Sequence, residues 1–248
     1  MNELLPDLVK RLEPNEVRWI HEINELREGD ICFILGFGKI LKKEHLSKHK
    51  HNIVVHSSNL PQGKGMSPLT WQILEDKNTI PDTLFEAIES LDAGKIYIQD
   101  CVIFEGHELI NELRYVMGQK DFDMCIEFIN RYPEIIETGK EQIGESSYYS
   151  RRTADDSELD INKSIKEQFN LLRVVDNENY PAFFNYKGHK YILKIYKTEI
   201  NNSNIDKSQE FLLQYNSDKI GNQGGDRVNY QYSRLESLLP NFFTGGVL

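Results

Sequence analysis

Cysteine is scarce in this chain of 248 residues, and long apolar runs and excess positive charge are absent. Its three cysteines, Cys32, Cys101 and Cys125, are odd in number and show no metal-ligand spacing. This pattern argues against a disulfide framework and against a zinc site, so no metal is expected. We expect all three to be buried free thiols, the commonest state of cysteine in such proteins.

No segment approaches the roughly 18 consecutive apolar residues that a membrane-spanning helix needs. Residues 1–7 also lack the basic start and apolar core of a signal peptide, so the sequence predicts a cytoplasmic protein without membrane association. Acidic residues outnumber Lys and Arg by 39 to 29, for a formal net charge of -10. Because nucleic acids are bound largely by Lys and Arg that displace counterions, no nucleic-acid partner is expected.

The order of apolar segments predicts an α/β fold. Ile31–Leu35 and Ile53–Val55 are apolar runs with a helical stretch between them, the pattern of buried parallel strands joined by a crossover. A doubly wound, Rossmann-like parallel sheet is the simplest architecture for this order. The remaining predicted elements are helices over 4–12, 69–74 and 108–132, and strands over 16–21, 83–88 and 96–99. Ser67 and Pro68 are expected to start the second of these helices, as capping residue and first helical residue.

Three regions are predicted: a main domain over 1–144, a small α+β subdomain over 145–197 and a flexible tail over 198–248. The subdomain should contain a helix at 164–173 and a hairpin formed by 182–186 and 190–196. Beyond residue 197 the chain is rich in Asn, Ser, Gln and Gly, a composition typical of mobile segments.

A histidine and an aspartate are the first candidates for catalysis. His56 follows the apolar run at 53–55, and Asp92 lies in a Leu-Asp-Ala-Gly turn. Imidazole accepts or passes on a proton near neutral pH, and an adjacent carboxylate raises its basicity and fixes its tautomer. With seven histidines and 39 acidic residues, the same two residues could instead cap a strand and a turn.

The segments around this pair carry a family resemblance. They read NIVVHSSNLP at 52–61, GKG at 63–65, SPLTWQIL at 67–74 and LDAGKIY at 91–97. From about Val17 to Lys197 the chain resembles the folate-dependent formyltransferases, which include glycinamide ribonucleotide transformylase, methionyl-tRNA formyltransferase and the sugar N-formyltransferases. The strings LPQGKGMSPLTW and NLLRVVDNENYPAFF are most similar to bacterial enzymes that formylate a nucleotide-linked 4-amino-4,6-dideoxy sugar on a pseudaminic acid type pathway.

The resemblance implies transfer of a formyl group from 10-formyltetrahydrofolate to an amine. His56 would relay the amine proton and help hold the oxyanion, and Asp92 would orient His56 or a water. Glycine-rich backbone would approach the flat pterin closely. The residues implied in folate binding are Gly36, Phe37, Gly38, Ile40, Leu60 and Asp92.

The acceptor implied by the finer match is a UDP-linked 4-amino-4,6-dideoxy-N-acetyl-altrosamine used for surface glycan or flagellin sugars. Arginine can clamp its diphosphate, and aromatic and amide side chains can stack on and read its base. The residues implied are Lys64, Gly65, Ser67, Arg173, Asn177, Tyr180 and Phe183, with Arg151 and Arg152 as secondary candidates. The aromatic members could equally be packing residues, and the sequence leaves open whether the protein forms a homodimer.

Two departures from the family keep other functions open. Val54 stands where the wider family has an asparagine whose amide polarises the formyl oxygen, and the family's first strand has no counterpart before the first predicted helix. These departures allow a non-catalytic ligand-binding relative. A methionyl-tRNA formyltransferase is the other alternative, although the chain lacks a basic face and the larger RNA-binding domain.

Overall fold

A central sheet forms from the apolar runs of the sequence. In the computed structural model, which describes residues 5–198 and 246–247, the long strands are β1 (Gly29–Leu35), β2 (His49–His56), β4 (Thr79–Glu86) and β5 (Ile96–Ile103). Short strands are β3 (Lys64–Gly65), β6 (Tyr148–Tyr149) and β9 (Gly246–Val247). The order in the sheet is β5-β4-β2-β1-β9, and β3 pairs separately with β6.

The sheet is mixed in direction. β1 and β2 are parallel, whereas β4 runs antiparallel to both β2 and β5. The α/β, Rossmann-like fold class is confirmed, but the expectation of a parallel sheet throughout is corrected. The connection between β4 and β5 is too short for the crossover that parallel strands require, so these two strands fold back on each other.

Helices cover the sheet and complete its core. They are α1 (Leu5–Arg11), α2 (Lys43–Leu46), α3 (Pro68–Leu74) and α4 (Ile110–Asn130). Phe122 and Phe128 of α4 are buried against Phe33 and Ile53 of the sheet, as the helical periodicity predicts. The strand predicted over 16–21 is wrong, since only Ile20 forms an isolated bridge there and a 3-10 turn follows at Ile23–Glu25.

The part of the chain after α4 packs on the same body. It contains α5 (Phe169–Val174) and a hairpin of β7 (Ala182–Tyr186) and β8 (His189–Leu193). The hairpin turns at Lys187 and Gly188, both with positive φ, as a two-residue turn requires. All these elements belong to one compact unit with the main sheet. Of the predicted flexible tail, only residues 198 and 246–247 lie within the described residues.

The cysteines do not share one environment. Cys32 and Cys125 are buried, and burial raises the pKa of both thiols. Cys101 is exposed on the edge strand β5, so the expectation of three buried thiols is wrong for this one. None of the helices in the described part of the chain combines the length and the apolar character that a membrane crossing requires.

Candidate active site

His56 ends β2 and faces two loops. Its Nε2 lies 2.9 Å from the carbonyl oxygen of Gly63 and 3.9 Å from Oδ2 of Asp92. The side chains of His56 and Asp92 are each 11% exposed, so both are sheltered yet reachable. The structure therefore brings together the two residues that the sequence singled out.

Side chains of α3 and β4 hold the loop that follows His56. Gln72 of α3 donates to the carbonyl of Ser57 at 2.6 Å, and Thr83 of β4 donates to the carbonyl of Ser58 at 2.6 Å. These contacts satisfy backbone groups that the loop could not pair by itself. Gly63 turns the loop with a φ of 72°, which brings its carbonyl back to His56.

Asp92 occupies an unusual backbone conformation. Its φ is 46°, in the left-handed region that Asp and Asn tolerate better than most residues. Its Oδ2 accepts a 2.9 Å hydrogen bond from the amide of Gly65, so the carboxylate joins the turn at 91–94 to the glycine loop. Gly94 completes the turn where no side chain fits, since a Cβ there would lie 1.7 Å from the carbonyl oxygen of Glu86.

The contacts of His56 determine where its basic nitrogen lies. A carbonyl oxygen only accepts hydrogen bonds, so Nε2 carries the hydrogen that faces Gly63. In the neutral ring the lone pair is then on Nδ1, the atom able to accept a proton. The site thus combines a proton acceptor with a carboxylate that orders the adjoining loop.

Val54 does not supply a polar group to this site. It lies between Ile34 and Phe85 in the sheet and packs against an apolar cluster. Asn52, two residues earlier, is buried and donates to the carbonyl of Leu46 at 2.8 Å, away from His56. Ser58, two residues after His56, has a buried hydroxyl with no hydrogen-bond partner among the described residues.

Four of the six residues implied in folate binding, Gly36, Phe37, Gly38 and Ile40, follow the end of β1, whereas Leu60 and Asp92 lie in other loops. Gly36 has a φ of 60°, Phe37 is half-buried, and Ile40 is 64% exposed. A Cβ on Gly38 would meet no atom within 4 Å, so the backbone there is open to a flat ligand. Exposed apolar side chains and accessible backbone fit a pterin ring. Leu60 is only 4% exposed and supports the loop from inside.

Three of the residues implied in acceptor binding lie in or next to the glycine loop. Lys64 is 6% exposed, and Gly65 would place a Cβ 2.4 Å from the carbonyl of Tyr149. Ser67 has a φ of 54° and makes no capping hydrogen bond, so its predicted capping role is wrong, whereas Pro68 does begin α3. Ser67 is exposed beside the loop.

An aromatic pair lies beside this loop. The sequence did not predict that its two members are in contact. Trp71 stacks on Tyr149 with ring centroids 6.4 Å apart, and its indole donates to the carbonyl of Ser150 at 2.8 Å. Burial raises the pKa of the Tyr149 hydroxyl, and its hydrogen bond to Glu75 adds to the effect. This contact could not be predicted from local sequence, because α3 and β6 are far apart along the chain.

The other acceptor residues are structural. Arg173 is 1% exposed and donates to Asn78 and to the carbonyl and carboxylate of Glu108, which contradicts its role as a diphosphate clamp. The side chain of Asn177 exchanges hydrogen bonds with the backbone of Ile195, and Phe183 is 3% exposed, which contradicts their roles against a base.

Tyr180 and Arg152 take part in hydrogen bonds of the fold, those of Tyr180 through its backbone. The backbone of Tyr180 bonds to Asp176 and Ser157, and Arg152 donates to the carbonyl of Asp156 at 2.9 Å. Arg151 is exposed. The alternative that these residues pack the small unit is therefore the better interpretation for most of them.

Comparison with known proteins bears directly on this site. Residues 10–118 match the formyl transferase family, a range that includes His56, Asp92 and the glycine loop between them. This part of the chain is therefore similar to formyl transferase domains. Methionyl-tRNA formyltransferase of Thermodesulfovibrio yellowstonii is 27% identical over 77% of this chain and 60% of its own length. The chain thus spans about three fifths of that curated relative.

Solved structures share the fold of this domain. A 4-N formyltransferase from Francisella tularensis superposes with a TM-score of 0.57 at 20% identity, over 72% of this chain and 75% of that one. HypX from Aquifex aeolicus in complex with tetrahydrofolic acid superposes with a TM-score of 0.56 at 17% identity, over 71% of this chain and 30% of that one.

Proposed function

We propose that this protein transfers a formyl group from 10-formyltetrahydrofolate to the amine of a nucleotide-linked amino sugar. The observation that carries the proposal is the approach of His56 to Asp92 across a glycine loop, inside the segment that matches the formyl transferase family. The Francisella protein, whose structure shares the fold, is named a 4-N formyltransferase, and that name agrees with transfer to a nitrogen atom of the acceptor.

The residues have distinct tasks in this reaction. A bound 10-formyltetrahydrofolate would supply the formyl carbon that the neutral amine attacks. The bond from that carbon to the folate nitrogen would then break, and the proton released by the amine would pass to that nitrogen to give tetrahydrofolate. His56 takes the proton that the amine loses, through the nitrogen that does not face Gly63. Asp92 holds the amide of Gly65 and stabilises the positive charge that His56 acquires. Since Val54 offers no donor, the oxygen that develops charge would be held by His56 once it is protonated, by backbone amides of the loop, or by the hydroxyl of Ser57 or Ser58.

The acceptor that we propose is UDP-4-amino-4,6-dideoxy-N-acetyl-altrosamine. The cation that we propose for an anionic acceptor is Lys64, which the resemblance implies in acceptor binding and which precedes the Gly65 that bonds Asp92; its side chain is 6% exposed. The buried Arg173 no longer contributes to this argument. A net charge of -10 disfavours a large nucleic-acid partner.

A second candidate is formylation of methionyl-tRNA. It is favoured by the curated relatives, which bear that name at 27% and 28% identity. The two candidates differ only in the acceptor, so one experiment separates them.

The test is incubation of the protein with 10-formyltetrahydrofolate and a panel of acceptors, with products read by mass. The panel contains the UDP sugar named above, its dTDP counterpart, UDP-N-acetylglucosamine as a control without a free amine, and methionyl-tRNA. We expect a gain of one formyl group on the amino sugar alone. Formylation of methionyl-tRNA in preference would replace the proposed acceptor, and no product with any acceptor would favour a non-catalytic relative.

A further inference from the structure

One surface segment contacts both loops of the candidate site. Residues 140–149, here called the strap, follow the 3-10 turn Glu134–Thr138 and end in β6. The strap starts with two backbone hydrogen bonds between Lys140 and Ile96, next to the Asp92 turn. It ends against the glycine loop through the pairing of β6 with β3.

Gln142 is the strap residue that touches the Asp92 turn. Its Nε2 donates to the carbonyl of Asp92 at 2.9 Å and to the carbonyl of Gly94 at 3.0 Å. One side chain therefore links the two ends of the turn. Its Oε1 is buried and has no hydrogen-bond partner among the described residues. A buried acceptor left unpaired is unfavourable, so the useful part of this amide is its two donors.

Ser147 performs the matching task on the other loop. Its hydroxyl accepts a 2.9 Å hydrogen bond from the amide of Gly63, and its carbonyl accepts one from the amide of Lys64 at 2.9 Å. Tyr149 then accepts from the amide of Met66 at 3.1 Å. The strap thus sets the position of Gly65, whose amide meets Oδ2 of Asp92 at 2.9 Å.

We propose that Gln142 is a positioning residue that holds the carboxylate of Asp92 in register with His56 and Gly65. The inference rests on the proposed role of Asp92 in formyl transfer. Asp92 has a φ of 46°, a left-handed conformation that is uncommon for non-glycine residues even though Asp tolerates it, so contacts that hold the turn favour it. Gln142 provides such contacts by binding the carbonyls of the turn, and the strap carries the opposing loop on the same short segment.

The experiment is a double-mutant cycle between Gln142→Leu and Asp92→Asn, measured as formyl transfer from 10-formyltetrahydrofolate to the panel acceptor that wild type uses. Since a displacement of about 1 Å at a reacting group costs on the order of 100-fold in rate, we expect Gln142→Leu to lower kcat about 10- to 100-fold. The KM for the acceptor should stay within about twofold, because Gln142 does not contact it. Gln119→Leu, on the exposed face of α4, is the matched control and should keep wild-type kcat.

The cycle distinguishes this inference from the proposed function. If Gln142 acts through Asp92, the double variant is no slower than Asp92→Asn alone. Losses that multiply overturn the inference, as does wild-type kcat in Gln142→Leu while Asp92→Asn is slow. Wild-type kcat in Asp92→Asn overturns the proposed role of Asp92 itself.

A folding defect is separated with a second variant. Gln142→Met keeps the length and flexibility of the side chain but lacks both donors, and it is taken through the same cycle. A lower melting temperature in both variants, combined with wild-type kcat per folded molecule, assigns Gln142 to stability alone and overturns the inference.

Discussion

The amide of Gly65 donates a 2.9 Å hydrogen bond to Oδ2 of Asp92, and this contact joins two loops that are far apart in the sequence. His56 lies at the same junction, with Nε2 3.9 Å from that oxygen. The carboxylate therefore has two neighbours: an amide that it fixes and an imidazole whose charge it can stabilise. The predictions below test this junction and the core that supports it.

Loss of either proton-handling group should reduce turnover strongly. His56→Ala and Asp92→Asn are each expected to lower kcat by about 100-fold or more, as for general acid-base groups. Asparagine suits the positive φ at position 92, so that variant should retain its backbone and folate binding. Initial rates and folate titration measure both effects. His189→Ala, on the exposed end of β8, should keep wild-type turnover, and near-normal rates in either site variant would refute the mechanism.

Gly94→Ala should damage the fold at the Asp92 turn. Its new Cβ would meet the carbonyl oxygen of Glu86 at 1.7 Å, so the backbone of β4 or of the turn must move. Overpacking against backbone costs about 1–3 kcal/mol or more of unfolding free energy. Thermal unfolding measures the loss. The control is Gly38→Ala, whose Cβ would find open space and whose melting temperature should match wild type. Equal stability of Gly94→Ala would show that the turn is not closely packed.

A buried carboxyl pair should make stability depend on pH. Burial raises the pKa of Asp82 to about 6, and burial together with the neighbouring Asp82 charge raises the pKa of Asp121 well above its usual value of 3.8. Between about pH 4 and pH 6 the unfolded Asp82 loses a proton that the folded residue keeps, so the contribution of Asp82 to the free energy of unfolding should fall as pH rises.

Asp82→Asn removes one carboxyl group of this pair and should therefore remove its contribution to the pH dependence of stability. We expect the variant to be more stable than wild type at pH 8, by up to about 3 kcal/mol, with a weaker pH dependence. Denaturant unfolding at pH 4, 6 and 8 checks this. Asp100→Asn is the contrast, because the hydrogen bond from Lys120 lowers the pKa of Asp100 and its charge stabilises the folded state. The same pH dependence of stability in wild type and in Asp82→Asn would contradict the prediction.

Arg173→Ala should destabilise the protein without a selective effect on the acceptor. The side chain is buried, and its removal leaves the carboxylate of Glu108 without its cation. Breaking such a pair costs about 3–5 kcal/mol of unfolding free energy. Thermal unfolding and titration with UDP measure stability and nucleotide affinity separately. The control is Arg151→Ala. Arg151 is also an arginine but is exposed, so its removal should leave stability unchanged. Loss of UDP affinity at unchanged stability would restore Arg173 to the binding site.

Local pattern was enough to predict most of the long strands and helices, and short motifs were enough to select the two candidate residues. Apolar runs predicted β1 and β2, helical periodicity predicted α4, and the motifs at 52–61 and 91–97 selected His56 and Asp92 from many histidines and carboxylates. These features follow from burial and from chemistry that needs particular residue types at the ends of strands. These features depend only on residues that are close in the sequence, so they can be predicted from the sequence alone.

Contacts between distant segments were decided by the tertiary structure alone. The antiparallel direction of β4, the burial of Arg173 against Glu108 and the hydrogen bonds of Gln142 to the Asp92 turn all join residues that no local pattern relates. The local sequence NLLRVV around Arg173 is compatible with an arginine that binds a diphosphate and with one that pairs with a buried carboxylate. Which one it meets depends on how α5 packs against the segments that carry Asn78 and Glu108, because only packing sets the solvent and the partners around a charge.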